Sequence, residues 1–585
     1  MDVIKPTSTI ILNSHELLLN PKNFLVSVIH YSNALNETSI NILGMTESPE
    51  SEAIILKLDR EVLPNQKVFL RVKYSGKIGI NSERGFYKSE KDGDIVYTTM
   101  FQTKGARAVF PCFDEPEYKA EFKIEIAKPK SWIALSNAME EYTKYNGDGY
   151  DWVSFKVTEK ISTYMVAFAI GDLVKLEGKT ADGILTRIWT FRSGERRMKT
   201  GLESAIKCTD AMTNYTSFPL KLQKMDHLAI PEKHFFAMEN PGLVIYDQRV
   251  LLLDDGEDIS YSNPKGYNQW YRVSSVICHE MAHQWFGNLL TNKWWGDSWL
   301  HEGFANYFEN YAFSKAFPNE KGIIDIRAAS IILDKIINYP GHEFVDHPII
   351  TKNGEFDQVT YNKGGAILRQ LEAVISPEVF QKAIQRYIKT FAYSNVNSKD
   401  FIQKIQESVD ETDLKDWCGE SFNVTSFMNL WLNEIGIPYL NIDYVNGTFE
   451  ITQTDIHNRV KASWPLPLFV QYENDKTEMI WLAPDYLCAD GTKLPATKSI
   501  KTFALFINPD LLSLTEMIYN PKSSEAVYKA LLSNKNFQLS PASIAVFYEQ
   551  VKYYLFNYKN IPYQILNHQK SAKIYDISEN LNMYG

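Results

Sequence analysis

His279-Glu280-Met281-Ala282-His283 is the stretch on which the reading of this chain turns. It lies within Tyr267–Gly287, where Trp270, Val273 and Ile277 recur at helical spacing. Asn263-Pro264 precedes it as a helix start, and Gly287 is the expected stop. Four residues along a helix rotate the chain by about 400°, so His279 and His283 project from one face, one turn apart. Two imidazoles so placed can share a Zn²⁺ at about 2.0–2.1 Å. Glu280 would then stand beside the ion's water and could take its proton. The pentad alone favours the metal reading without deciding it, because lone matches of this kind are often spurious.

The next segment adds weight. Trp294-Trp295-Gly296-Asp297-Ser298-Trp299-Leu300-His301-Glu302-Gly303-Phe304-Ala305-Asn306-Tyr307 predicts a second helix after a Gly-bearing loop. Two His and one Glu would leave the fourth tetrahedral position to water, as a catalytic zinc requires. Cys278 points about 100° away from His279 on the same helix, so no closed four-ligand site is on offer. The competing account makes Glu302 a solvated carboxylate at a helix start, favoured by the macrodipole.

Two further constellations are ambiguous by themselves. In His234-Phe235-Phe236-Ala237-Met238-Glu239-Asn240-Pro241-Gly242-Leu243, a carboxylate within an apolar stretch is costly to bury unpaired. Alone, Glu239 reads better as an exposed turn residue. Tyr361, in Val359-Thr360-Tyr361-Asn362-Lys363-Gly364-Gly365, reads alone as a core or capping tyrosine.

Outward from these motifs, the organisation is multidomain α+β. Alternating runs such as residues 54–58, 67–72 and 122–126 predict an antiparallel β domain at the amino end. Helical periodicity follows from about residue 199 to 432, with amphipathic segments at 362–374 and 377–390. Strands return around Asn446-Gly447, a strong hairpin signal, and residues 438–519 read as a compact β-sandwich. The final sixty or so residues read as helical. The expected domains are 1–180, 181–435, 436–525 and 526–585, in keeping with roughly 100–200 residues per domain.

Composition excludes several classes. Lys and Arg total 61 against 71 Asp and Glu, a net charge of −10, which argues against a polyanion-binding protein and hence against a nucleic-acid partner. No phosphate-cradling glycine motif is present. With 44% hydrophobic and 23% charged residues, the chain is of ordinary globular composition. No apolar run is long enough to cross a bilayer, and Met1-Asp2-Val3-Ile4-Lys5-Pro6 has no signal-peptide character. Five scattered cysteines argue against a disulfide-stapled secreted fold, so the expected address is cytoplasmic.

Taken together, His279-Glu280-Met281-Ala282-His283-Gln284-Trp285-Phe286-Gly287-Asn288 and Trp299-Leu300-His301-Glu302-Gly303-Phe304-Ala305 resemble the zinc site of aminopeptidase-N-type metallopeptidases, the gluzincin aminopeptidases. Ala237-Met238-Glu239-Asn240 is similar to that family's exopeptidase motif. Pro111-Cys112-Phe113-Asp114-Glu115-Pro116 after Ala106-Arg107 is similar to its β-domain signature, and Tyr361-Asn362-Lys363-Gly364 to its tyrosine motif. The resemblance runs from about residue 8 to about 530. It implies a thermolysin-like, mostly helical zinc domain between the β domain and the β-sandwich, and a short helical remnant of a larger carboxy-terminal domain. It also implies one Zn²⁺ per chain on His279, His283 and Glu302, with Glu280 as general base and Tyr361 donating a hydrogen bond to the oxyanion. Glu239, with Gln102 and Glu302, would hold the substrate's free α-ammonium, and Ala237, Met238 and Asn240 would line the bound peptide.

The function so implied is zinc-dependent hydrolysis of the amino-terminal peptide bond, through a zinc-activated water, on peptides with a free amino terminus. An anionic socket at a fixed distance from the ion would accept chain starts and reject internal bonds. Asp297 is a candidate to orient one imidazole. Departures from the family pattern are Phe236 for a usual Gly, Pro241 for an aromatic and His301 for Asn. Both ends look shortened relative to the family. Three alternatives stand beside the main reading: a thermolysin-type endopeptidase, a leukotriene-hydrolase-like bifunctional enzyme, and a truncated relative that binds peptides without cleaving them.

Overall fold

A computed structural model of the chain describes residues 2–30, 33–64, 66–80, 84–145, 147–231, 236–332, 347–454, 464–472, 476–502, 505–533 and 539–545. The chain divides into two compact units, residues 1–202 with 221–255, and residues 203–220 with 256–585. The architecture is mixed α+β, as the alternation of strand-like and helical periodicities predicts.

The first unit is rich in antiparallel strands. Thr7–Asn13, Ala53–Val62 and Ile42–Ser48 form one three-stranded sheet, and Asn33–Ile40, Phe24–His30 and Gln66–Val72 another. Alternate residues of these strands, among them Ile10, Leu12, Val26, Val28, Ile54, Leu56 and Val68, bury in one shared core. That is the period-two signature of a sheet with one solvated face. A buried knot explains the Arg107 and Asp114 motif. The Arg107 guanidinium donates to Asp114 at 2.8 Å and to Glu52 at 3.3 Å, and Thr163 donates to the other Asp114 oxygen at 2.7 Å.

A five-stranded sheet ends this unit and carries the exopeptidase-like motif. Its strands are β1 (Val174–Lys179), β2 (Leu185–Thr190), β3 (Lys224–Ile230), β4 (Ala237–Met238) and β5 (Leu243–Asp247), in spatial order β1-β2-β3-β5-β4. β3 runs parallel to both neighbours and is buried along its whole length. A strand covered on both faces reads as continuous rather than alternating hydrophobicity, and Lys224, Asp226 and His227 interrupt even that.

In the second unit, α1 (Pro264–His283) and α2 (Trp299–Ala316) pack side by side. Asn263 caps α1 through the Gly266 amide and Pro264 occupies its first turn, as the lead-in predicts. The helix stops at His283 rather than at Gly287, which lies beyond it at φ +127°. A π-turn (Val359–Lys363) leads into α3 (Gly364–Ile375), followed by α4 (Pro377–Phe391). Further on, Asn446 and Gly447 take φ values of 51° and 77°, the left-handed pair a tight hairpin needs, and join strands Tyr439–Val445 and Thr448–Thr454. Among the described residues between 439 and 519 the strands form sheets of four and three, and a helix spans Pro521–Ser533. The helical reading beyond residue 545 lies outside the described residues.

The cysteine expectation is corrected. Cys208 pairs with Cys278 and Cys418 with Cys488, with Cα separations of 5.2 and 5.8 Å, leaving Cys112 buried and unpaired. Residues 70 apart in sequence meet in both cases, so spacing along the chain could not reveal the pairing. No helix among the described residues is long and apolar enough to cross a membrane.

Candidate active site

His279 and His283 close α1, and Glu302 sits in the first turn of α2, so the packing of these two helices brings the three side chains together. Donor atoms of all three lie within 4.8 Å of one another. The two Nε2 atoms are 3.1 Å apart, and Glu302 Oε2 lies 3.2 Å from His283 Nε2 and 3.6 Å from His279 Nε2. Ligands about 2.0–2.1 Å from a tetrahedral ion are separated by about 3.3 Å, so the spacing fits a zinc-sized ion. Among the described residues this is the one cluster of three or more such side chains.

Each ring is oriented through its other nitrogen. His283 Nδ1 lies 3.0 Å from the Phe286 carbonyl, in the turn that follows the helix. His279 Nδ1 lies 3.3 Å from Glu309 Oε2. Such partners fix the tautomer and leave Nε2 to face the centre. Glu309 stands two turns after Glu302 on α2, hence on the same face, a periodicity from which it could have been read. The Asp297 expectation is corrected: its carboxylate accepts from the Ser398 amide at 3.2 Å and from the Ser398 hydroxyl.

The electrostatics favour positive charge at the centre. Burial would raise the Glu302 carboxyl, but the charge of His283 and hydrogen bonds from both imidazoles hold it below the ordinary carboxylate range. Burial would likewise lower His279, and hydrogen bonds to Glu302 and Glu309 raise it instead. His283 and Glu302 are 2% and 3% exposed, so Glu302 is no solvated helix-start residue. Glu280 is also buried beside the cluster and acts electrostatically on His279.

The π-turn brings Tyr361 to the same place. Its ring stacks on His279 with centroids 6.1 Å apart and planes 11° from parallel. Asn306, one turn after Glu302, donates to the Tyr361 carbonyl at 3.0 Å and to Asn362 at 3.1 Å. The backbones of α2 and α3 meet at Gly303 and Gly364. A Cβ on Gly303 would stand 3.1 Å from the Gly364 Cα and 3.2 Å from the Thr360 carbonyl. Neither Asn306 nor this glycine contact announces itself in the sequence, because each acts through a partner about sixty residues away.

In the first unit, the exopeptidase-like residues form a buried turn. Met238 pairs with Ile245 and Ala237 with Tyr246 across β4 and β5. Glu239 is 4% exposed, so the reading of it as an exposed turn residue is corrected. The turn is held by its carbonyls. Lys224 Nζ donates to Gly242 at 2.7 Å, and Asn137 donates to Pro241 at 2.9 Å. Asn240 donates to Met165 at 3.2 Å. Gly242 sits at φ +72°, where an added Cβ would fall 2.1 Å from the Asn137 carbonyl. Phe236 projects outward, 57% exposed. Gln102 Nε2 is closed off from solvent and has no hydrogen-bond partner among the described residues.

Fold and cluster together define a class, the metallopeptidases that carry His-Glu-x-x-His on one helix and a further Glu on the next. Comparison with known families is consistent throughout. The Peptidase M1 N-terminal domain matches residues 1–165, and the Peptidase family M1 domain matches residues 200–431. The chain is 30% identical over 596 residues to Aminopeptidase N of Haemonchus contortus, covering 94% of this chain and 58% of the relative. It is 33% identical over 462 residues to Aminopeptidase M1-A of Oryza sativa subsp. japonica, covering 78% and 50%. It is also 33% identical over 423 residues to Endoplasmic reticulum aminopeptidase 2 of Homo sapiens, covering 68% and 43%. The chain belongs to peptidase family M1, and within it to the aminopeptidase-N type. It spans about half the length of these relatives.

Proposed function

We propose that this chain is a zinc aminopeptidase that releases the first residue of peptides bearing a free amino terminus. The observation that carries this reading is the triangle of His279, His283 and Glu302 donor atoms, with edges of 3.1, 3.2 and 3.6 Å. These three residues would hold one Zn²⁺. Such an ion, when bound, supplies Lewis-acid charge for a carbonyl oxygen and acidifies water.

The chain's own residues do the rest. Glu280, buried next to His279, accepts the proton of the attacking water and passes it to the departing amine nitrogen. Tyr361, set against the His279 ring, donates its hydroxyl proton in a hydrogen bond to the carbonyl oxygen as negative charge develops there. Glu239 and Gln102, with Glu302, receive the substrate's α-ammonium, and Ala237, Met238 and Asn240 line the peptide beside it. A buried carboxylate on a turn fixed by its carbonyls is suited to that part, since it holds one position and excludes water. Discrimination follows because an internal peptide bond brings no charge to the socket.

The two disulfides support an oxidising compartment over the cytoplasmic address expected from cysteine count. The deciding assay pairs aminoacyl arylamides with their Nα-acetyl twins, with and without a chelator. Free-amine substrates should be cleaved, acetylated ones spared, and activity lost to the chelator should return with Zn²⁺. Equal cleavage of both twins would remove the amine socket and leave the endopeptidase reading.

A further inference from the structure

Asp357 stands one helical turn before Tyr361 and caps the π-turn that carries it. One carboxylate oxygen accepts from the Val359 amide at 2.9 Å and from the Thr360 amide at 3.3 Å. The Asp357 carbonyl accepts from the Tyr361 amide at 3.0 Å. The other carboxylate oxygen lies 2.7 Å from His347 Nε2, and His347 Nδ1 lies 2.7 Å from the Pro348 carbonyl. Both nitrogens of this half-buried ring therefore face an acceptor. A neutral imidazole has one N–H and can serve only one of them, whereas the imidazolium donates to both. The surroundings favour that form. Burial would lower the His347 pKa, but hydrogen bonds to Asp357 and Pro348, with the charges of Asp357 and Glu355, raise it above its ordinary value.

The same segment is fastened to the start of α2. The Ser298 hydroxyl donates to the Glu355 carbonyl at 3.3 Å, and the Thr360 hydroxyl donates to that carbonyl at 2.7 Å. We propose that His347 and Asp357 are positioning residues for Tyr361, the protonated ring holding the carboxylate that caps the tyrosine's turn and releasing it on losing its proton. This inference rests on the reading of Tyr361 as donor to the developing oxyanion. Because the folded protein raises the pKa of His347, the hold is complete at low pH and is lost as the pH climbs through that raised value. A misplacement of about 1 Å can cost about 10²-fold in rate, so a loosened turn should act on kcat.

Hydrogen–deuterium exchange of the whole chain, read on the peptide covering residues 357–363, tests the clamp without turnover. After correction for the intrinsic pH dependence of exchange, protection should fall in one step between about pH 5 and about pH 9. His347→Gln should exchange about tenfold faster below that step, the scale of one lost hydrogen bond to a charged group. Its kcat should fall about tenfold at low pH, with KM for free-amine substrates held, and should converge on the unsubstituted value as the pH rises. In a Tyr361→Phe background the same substitution should cost almost nothing more in kcat, because the two act through one group. Should His347→Gln not fold, Asp357→Asn carries the test. A neutral ring can accept from the new amide, so the step in protection should vanish. Equal exchange in the unsubstituted chain and His347→Gln at every pH, or a step that survives Asp357→Asn, would overturn the clamp. A kcat loss that persists in full in the Tyr361→Phe background would make the pair merely structural. An unchanged kcat in Tyr361→Phe alone would instead refute the role given to that tyrosine, and the exchange result would still decide the clamp.

Discussion

Two regions of this molecule hold charged side chains in place in opposite ways. Around His279, His283 and Glu302, helices present the side chains directly, and the supports are ring nitrogens bonded to Phe286 and Glu309. Around Glu239, a short turn is gripped by its backbone, with Lys224 and Asn137 reaching carbonyls from elsewhere in the same unit. Regular structure positions the first set, whereas long-range hydrogen bonds position the second. The first should therefore fail in chemistry when altered, and the second in stability and binding.

Glu280→Gln is the strongest break on the helical side. It should keep the metal and lose about 10³-fold in kcat, within the range that general base catalysis contributes. Metal content and single-turnover rates check this, and a loss under tenfold would remove Glu280 as the base. On the other side, Lys224→Met removes the ammonium 2.7 Å from Asp226, which keeps Arg187 and Trp189 as partners, and leaves the Gly242 carbonyl without that donor. A buried acceptor left unsatisfied costs about 1–3 kcal/mol. Denaturant titration should show that loss, together with a raised KM for free-amine substrates and a smaller change in kcat.

Tyr361→Phe returns to the helical side with a gentler change. It should lower kcat by about 10²-fold, equal to about 2.7 kcal/mol of transition-state stabilisation, with stability almost untouched. An unchanged kcat would take Tyr361 out of the mechanism. Gly303→Ala sharpens the comparison by forcing α2 from the π-turn, at a cost of about 1–3 kcal/mol for overpacking. Here kcat should fall while KM for the amine holds, because the Glu239 turn is left alone. Finally, alkylation of the denatured, unreduced chain should label one cysteine of five, rising to five after reduction.

What was legible in the sequence follows the same division. His279, His283, the helix around them and the Asn446-Gly447 hairpin are local patterns, in which spacing alone dictates geometry. Glu302 and Tyr361 gained their proposed roles only from company, since a first-turn carboxylate and an interior tyrosine are each common. Residues whose meaning depends on distant contacts escaped. Lys224 and Asp226 look like ordinary charges interrupting an apolar strand, and only the fold shows them buried against each other. Asp297 reads in the sequence as a candidate partner for one imidazole, yet its carboxylate takes Ser398, and two helical turns along α2 bring Glu309 to His279. The cysteines misled for a related reason, as their number and spacing carry no record of which chain segments adjoin.

The contact between Gly303 and Gly364 bears on how such a centre can change over time. With no side chain on either residue, the gap between the carboxylate-bearing helix and the tyrosine-bearing turn is a main-chain dimension that no rotamer can adjust. Drift in the surrounding residues can therefore reshape the lining, while the distance from the His279, His283 and Glu302 triangle to the tyrosine turn stays locked to the scaffold.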